Sequence, residues 1–107
     1  MHYNVLNMQK PSERLKRKIE KENLWLFILS MLKKGKKSGS ELKEAITKKF
    51  GLITGNVTTY KVLYLLKKGK YVESKRDGKF VFYKITAKGR AELASARRIL
   101  KFYISRI

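Results

Sequence analysis

Between Ala45 and Val72 the chain has no acidic residue but six lysines, Lys48, Lys49, Lys61, Lys67, Lys68 and Lys70. Inside that interval, Thr54-Gly55-Asn56-Val57-Thr58-Thr59-Tyr60-Lys61 mixes an amide, hydroxyls, a phenol and an ammonium group. These types suit the edges of base pairs. An asparagine amide pairs bidentately with adenine, a threonine methyl meets the thymine methyl, and lysine reaches guanine or phosphate. A second cluster, Lys75-Arg76-Asp77-Gly78-Lys79, sets three cations around a turn-forming Asp-Gly;. A third, Ser38-Gly39-Ser40 after Lys36-Lys37, offers helix-start N–H groups that suit a phosphate or serve plain capping;. Exposed helices ordinarily mix both signs, so the missing counter-charge is the informative feature.

The whole chain agrees. Its 107 residues carry 27 Lys+Arg against 8 Asp+Glu, a net charge of +19. Such a field attracts polyanions, nucleic acid first and an anionic membrane surface second. No apolar run approaches the roughly 20 residues that span a bilayer. The longest, LWLFILSML at 24–32, is wrongly placed for a cleaved signal peptide;. With no cysteine, disulfides, thiolate metal sites and thiol redox sensing are excluded;. The sole histidine is His2, so zinc-site spacing is absent and neither metal nor cofactor is expected;. The scattered carboxylates form no acid–base pair. No catalytic residue is assigned, and the chain reads as a non-enzyme of the cytoplasm, associated with the nucleoid. A small-molecule effector is not visible in the sequence.

These clusters need elements to position them. Residues 1–11 read as an arm. Pro11-Ser12 predicts a helix entry with Ser12 as N-cap, and Leu15, Ile19, Leu26 and Leu29 share a face over 12–34;. That stretch is one long helix, or two with Asn23 opening the second. Residues 24–32, apolar nearly all round, predict a helix buried on several sides. Ser38 to Glu41 matches a capping box, followed by Leu42, Ala45, Ile46 and Phe50 at helical spacing and a stop at Gly51;. Thr54 is the expected cap of a third helix running to Lys68, with Thr59, Val62, Leu63 and Leu66 toward the core. Thr58, Tyr60, Lys61 and Tyr64 then face outward, and Asn56 near the leading end is a base reader or a second cap.

A hairpin follows. Taking Asp77-Gly78 as a type I′ turn places Arg76 opposite Lys79, Ser74 opposite Val81 and Val72 opposite Tyr83. Val72, Val81, Tyr83 and Ile85 form the inward face. Phe80 and Phe82 lie on the other, where they cover the core or last helix or offer rings on which a base stacks. Thr86 caps a final helix over 87–107. The expected fold is mainly α with a small β-hairpin, a winged helix-turn-helix with N- and C-terminal helical extensions, forming a single domain over 1–107.

From Leu26 to Thr86 the chain resembles PadR-like transcriptional regulators, with MarR-like regulators a looser match. The likeness rests on FILSML, then Ser38-Gly39 and Glu41-Leu42, then Phe50-Gly51-Leu52, TTYKVLYLLKKGKYVES (58–74) and YKITAKGRAEL (83–93). Between Leu52 and Tyr60 the chain is a residue or two longer than that pattern, which leaves the start of the third helix open. The resemblance implies a DNA-binding regulator that dimerises through its C-terminal helix. The spacing of Leu93, Ala96, Leu100, Tyr103 and Ile107 is independently that of a coiled-coil seam, and Ile99, Phe102 and Ile104 widen it;. Leu15 and Ile19 are expected to join that homodimer interface.

The expected partner is therefore double-stranded DNA. Its contact set is Ser38, Ser40, Thr54, Asn56, Thr58, Tyr60, Lys61, Tyr64, Lys67, Lys75, Arg76 and Lys79. Two alternatives stay open: an architectural protein that coats DNA with little sequence preference, and an RNA-binding, ribosome-associated winged helix.

Overall fold

A computed structural model describes residues 10–107. The helix of Leu24–Leu32 (α2) is apolar at every position but Ser30, and it buries Leu24, Ile28, Leu29, Met31 and Leu32. The rest is built around it. Pro11–Glu22 (α1) precedes it, and Lys37–Ser38 (β1), Gly39–Phe50 (α3), Asn56–Lys68 (α4), Val72–Asp77 (β2), Phe80–Ile85 (β3) and Ala87–Arg106 (α5) follow. Leu42 and Ile46 of α3, Leu63 and Leu66 of α4, Val72, Ile85 and Leu93 complete one core with α2. The expected arm lies outside the described residues save Lys10 and Pro11. Among the described residues no helix is long and apolar enough to cross a membrane. No group of three or more metal-ligating side chains comes together among them either.

Local chemistry sets most boundaries. The break at Asn23 makes two helices of 11–32. Its backbone is non-helical (φ −129°, ψ 35°), and its side chain does not cap α2 but donates back to the Lys18 carbonyl of α1 (3.5 Å). The capping box forms as its spacing predicts. The Glu41 N–H donates to Ser38 Oγ (3.2 Å), and the Ser38 N–H donates to Glu41 Oε1 (2.9 Å). Those bonds hold the Glu41 carboxyl below its ordinary range. Gly51 ends α3 at φ 69°, the left-handed conformation that favours glycine;.

Four expectations give way. Ser12 is not a cap, because Pro11 takes the first helical position, where its missing N–H costs nothing, and Lys10 precedes it;. Thr54 is not the cap of α4, which starts after Gly55. The hairpin is part of a three-stranded antiparallel sheet of order β1-β3-β2, since Lys37 and Ser38 pair with Tyr83 and Phe82. Finally, the turn is Gly78-Lys79. Val72 pairs with Ile85, Ser74 with Tyr83 and Arg76 with Val81, so Arg76 and Lys79 are not opposed. Of the two turn residues only Gly78 has positive φ (62°), as a type II′ turn requires;. The shift is by two residues, so each side chain keeps its expected face.

The end of α4 is a Schellman motif, with Tyr71 N–H on the Leu66 carbonyl (2.9 Å) and Lys70 N–H on that of Lys67 (3.0 Å);. Lys70 itself takes the left-handed position (φ 65°), while Gly69 makes room for the Tyr71 ring. Thr86 caps α5 by accepting the Gly89 N–H (3.1 Å). Gly89 is buried, and a Cβ there would land on the Tyr71 carbonyl oxygen and against Ile85. Backbone cannot swing aside as a side chain does. Gly89→Ala is therefore expected to cost about 1–3 kcal/mol of stability, seen as a lower urea midpoint; an unchanged midpoint would refute this packing.

Candidate nucleic-acid interface

Helix α4 is oriented from its buried side. Thr59, Leu63 and Leu66 face the core, and Leu63 is fully buried. Losing such a leucine typically costs 2–5 kcal/mol, so rotation about the helix axis is strongly resisted. The buried Thr59 hydroxyl is satisfied 2.8 Å from the Gly55 carbonyl and 3.3 Å from the Thr54 hydroxyl. At 100° per residue the opposite side carries Val57, Lys61, Tyr64 and Lys68, all exposed;. Val57 is 84% exposed in the first turn. No acid sits in that turn, and Lys67 and Lys68 occupy the last.

The other contact candidates fall around this row. Thr58, Tyr60, Lys61 and Lys67 are exposed, while Thr54 is half-buried and turned to Thr59. Asn56 is the first helical residue, and its amide oxygen accepts from Lys43 Nζ of α3. A base pairing bidentately with Asn56 shares that oxygen with Lys43 or displaces it. Tyr60 lies against Gly39, where only a glycine leaves room for its phenol. Ser38 is buried and committed to capping, and the Glu41 carboxylate beside it opposes a bound anion there; Ser40 remains exposed.

The sheet divides the wing cations. Arg76 is on the inward face and shares a groove of about 540 Å³ with Tyr60, Tyr64, Lys67, Ser74, Val81 and Tyr83. Burial first, and neighbouring Tyr60 second, push the Tyr83 phenol above its ordinary value of 10.0. It therefore stays protonated, a hydrogen-bond donor on the groove floor. Lys75, paired with Phe82, is on the outward face, and Lys79 sits in the turn over the Phe80 ring. The structure thus brings α4 and Arg76 together but separates Lys75 and Lys79 from them. Of the proposed seam, Leu93 and Ala96 are buried in the chain's own core, whereas Leu100, Tyr103 and Ile107 are exposed. Leu15 is exposed and Ile19 half-buried.

Sequence reasoning missed Val57, Lys43 and Lys68. Val57 and Lys68 follow from the core phase set by Thr59, Leu63 and Leu66. Lys43 has no sequence signal, because its contact joins separate helices.

Three helices and a β-hairpin wing in this arrangement define a winged-helix protein. A family model described as the transcriptional regulator PadR-like family matches residues 28–95. The chain belongs to that family. Solved structures share the fold. One is a transcriptional regulator from Clostridium thermocellum, with TM-score 0.69, 23% identity, and coverage of 83% of this chain and 95% of that one. A winged-helix DNA-binding protein from STIV aligns with TM-score 0.66, 18% identity and coverage of 72% and 86%. Bacillus subtilis PadR in complex with operator DNA aligns with TM-score 0.59, 19% identity and coverage of 78% and 60%. No curated protein sequence matches the chain.

The exposed row makes a discriminating substitution available. Val57→Glu puts a carboxylate at a helix N-terminus, where it is favourable by about 0.3–1 kcal/mol, so the melting temperature should hold or rise. Duplex DNA affinity should nevertheless fall at least tenfold, as the charge meets phosphate. Unchanged affinity in an anisotropy titration would take the outward face of α4 out of the interface.

Proposed function

We propose that this chain is a homodimeric, sequence-reading regulator that binds double-stranded DNA through α4 and the inward face of its wing. The observation that carries the reading is the acid-free outward row of α4 beside a groove closed by Arg76. In a helix-turn-helix the second helix enters the major groove and its N-terminal half meets base edges. Here that half presents Asn56, Val57, Thr58 and Lys61. Val57 is an apolar partner for a thymine methyl, and Tyr60, Tyr64, Lys67 and Arg76 fit the flanking backbone. The operator complex of Bacillus subtilis PadR, a winged helix of the same family, supports the mode.

Dimerisation rests on α5. Its 20 residues extend about 30 Å at 1.5 Å per residue;. Beyond Ala96 every residue is exposed, including Ile99, Leu100, Phe102, Tyr103, Ile104 and Ile107. Such a surface calls for a cover. A second copy provides a two-fold axis and presents two α4 helices to half-sites about one DNA turn apart. The chain then works as one winged-helix domain at the nucleoid, with α5 as its dimerisation arm.

One observation favours the architectural alternative. Lys33, Arg90, Arg97, Arg98 and Lys101 line a second basic groove along α5, which suits phosphate contact without base readout. Salt separates the two. Anisotropy titrations at two salt concentrations, with the duplex upstream of the chain's own gene and a scrambled duplex, should show a preference that survives the higher salt. Equal affinity for both duplexes would leave only the architectural role. In the same assay Arg76→Ala should weaken both duplexes alike and flatten the salt slope by about one unit. An unchanged slope would remove the wing from the interface.

A further inference from the structure

The sheet has a second, outward face that duplex recognition does not use. The bland expectation for Phe80 and Phe82 is that they cover the core or the last helix. Neither packs against the core. Both stand on the face opposite Val81, Tyr83 and Ile85, with Phe80 51% exposed and Phe82 half-buried. Their centroids are 6.3 Å apart with the rings tilted at 53°. That is wider than the roughly 3.4 Å step of a stacked strand, so the pair suits bases that have left the stack. The rings lie on β3, the central strand of the sheet, as in other single-strand readers that stack bases on sheet aromatics.

Cations surround them. Lys36 Nζ lies 5.2 Å from the Phe82 centroid and Lys79 Nζ 5.6 Å from that of Phe80. The adjoining cleft, about 670 Å³, has Phe82 in its wall with Lys36, Lys75, Arg76 and Lys84 against Glu73 and Asp77. An exposed lysine over a ring is a weaker partner than a stacked base. A base displacing Lys36 or Lys79 therefore frees an ammonium group for the adjoining phosphate.

We propose that this outward face binds an unpaired stretch of DNA, stacking bases on Phe80 and Phe82 while the surrounding lysines hold its backbone. The path to it is physical. Ser74 and Arg76 line both the outward cleft and the groove beside α4, so a strand leaving a duplex at α4 can cross the wing edge. The choice of DNA rests on the duplex reading above; the stacking site itself does not.

The test uses the full chain and labelled single strands of about 12 nucleotides, within the range one small fold covers. Oligothymidine should bind roughly tenfold more tightly than an abasic strand of equal phosphate number, the equivalent of about one stacked base. Phe80→Leu with Phe82→Leu keeps the apolar bulk but removes the aromatic faces. It should abolish that difference and leave blunt-duplex affinity within about twofold, while Phe80→Tyr with Phe82→Tyr should retain it. Equal binding of oligothymidine and the abasic strand, or full oligothymidine binding by the leucine variant, would overturn the stacking site. Tighter binding of oligouridine than oligothymidine would overturn the assignment to DNA. Loss of duplex binding alone, with the stacking difference intact, would count against the duplex reading and not against this face.

Discussion

The contact of Gly89 with the Tyr71 carbonyl is the constraint on which the rest of the geometry depends. Tyr71 lies between the end of α4 and the start of β2, and α5 begins against it. Its carbonyl accepts the Thr86 N–H (3.1 Å), and the Thr86 hydroxyl donates to the Lys70 carbonyl (2.7 Å). Lys88 closes the joint from outside, donating to the Gly69 carbonyl (2.8 Å) with its ammonium 4.5 Å from the Tyr71 centroid. Helix α4, wing and terminal helix thus meet at one short backbone segment. The angle at which the wing leaves α4, and with it the gap from Tyr64 to Arg76, follows from packing there. Lys70 holds a conformation unusual for a non-glycine residue in order to make that joint;.

Charge is divided as sharply as the chain is folded. In α1, Lys16 pairs with Glu20 (2.7 Å) and Lys18 with Glu22 (2.8 Å). These exposed pairs add little stability, but they leave Glu20 and Glu22 with partners of their own. Glu41 is held in the capping box of α3. In α4, by contrast, no carboxylate offsets the lysines, and self-repulsion is the cost of a surface ready for a polyanion;.

What the sequence made legible was what local rules decide. The capping box at Ser38 and Glu41, the stop at Gly51 and the inward phase of Thr59, Leu63 and Leu66 follow from spacing within one turn or two. The wing register did not, because it is settled by distant partners. Asp-Gly by itself favours a type I′ turn, but pairing Val72 with Ile85 sets two buried side chains side by side and separates Arg76 from Lys79. Strand β1 is two residues long, too short for any period, and exists only because β3 is there to pair with it. In α5 the seam spacing runs unbroken from Leu93 to Ile107. The packing of α2 claims its first two members and leaves the remainder exposed, a division that periodicity cannot express.

The central claim is that α4 and the inward wing face meet duplex DNA together. Amide chemical-shift mapping during titration with the upstream duplex tests it most directly. The account predicts the largest changes at Asn56, Val57, Lys61 and Tyr64 and at Ser74, Arg76 and Val81, saturating at one common DNA concentration. Changes confined to the basic groove of α5, with α4 unmoved, would contradict it.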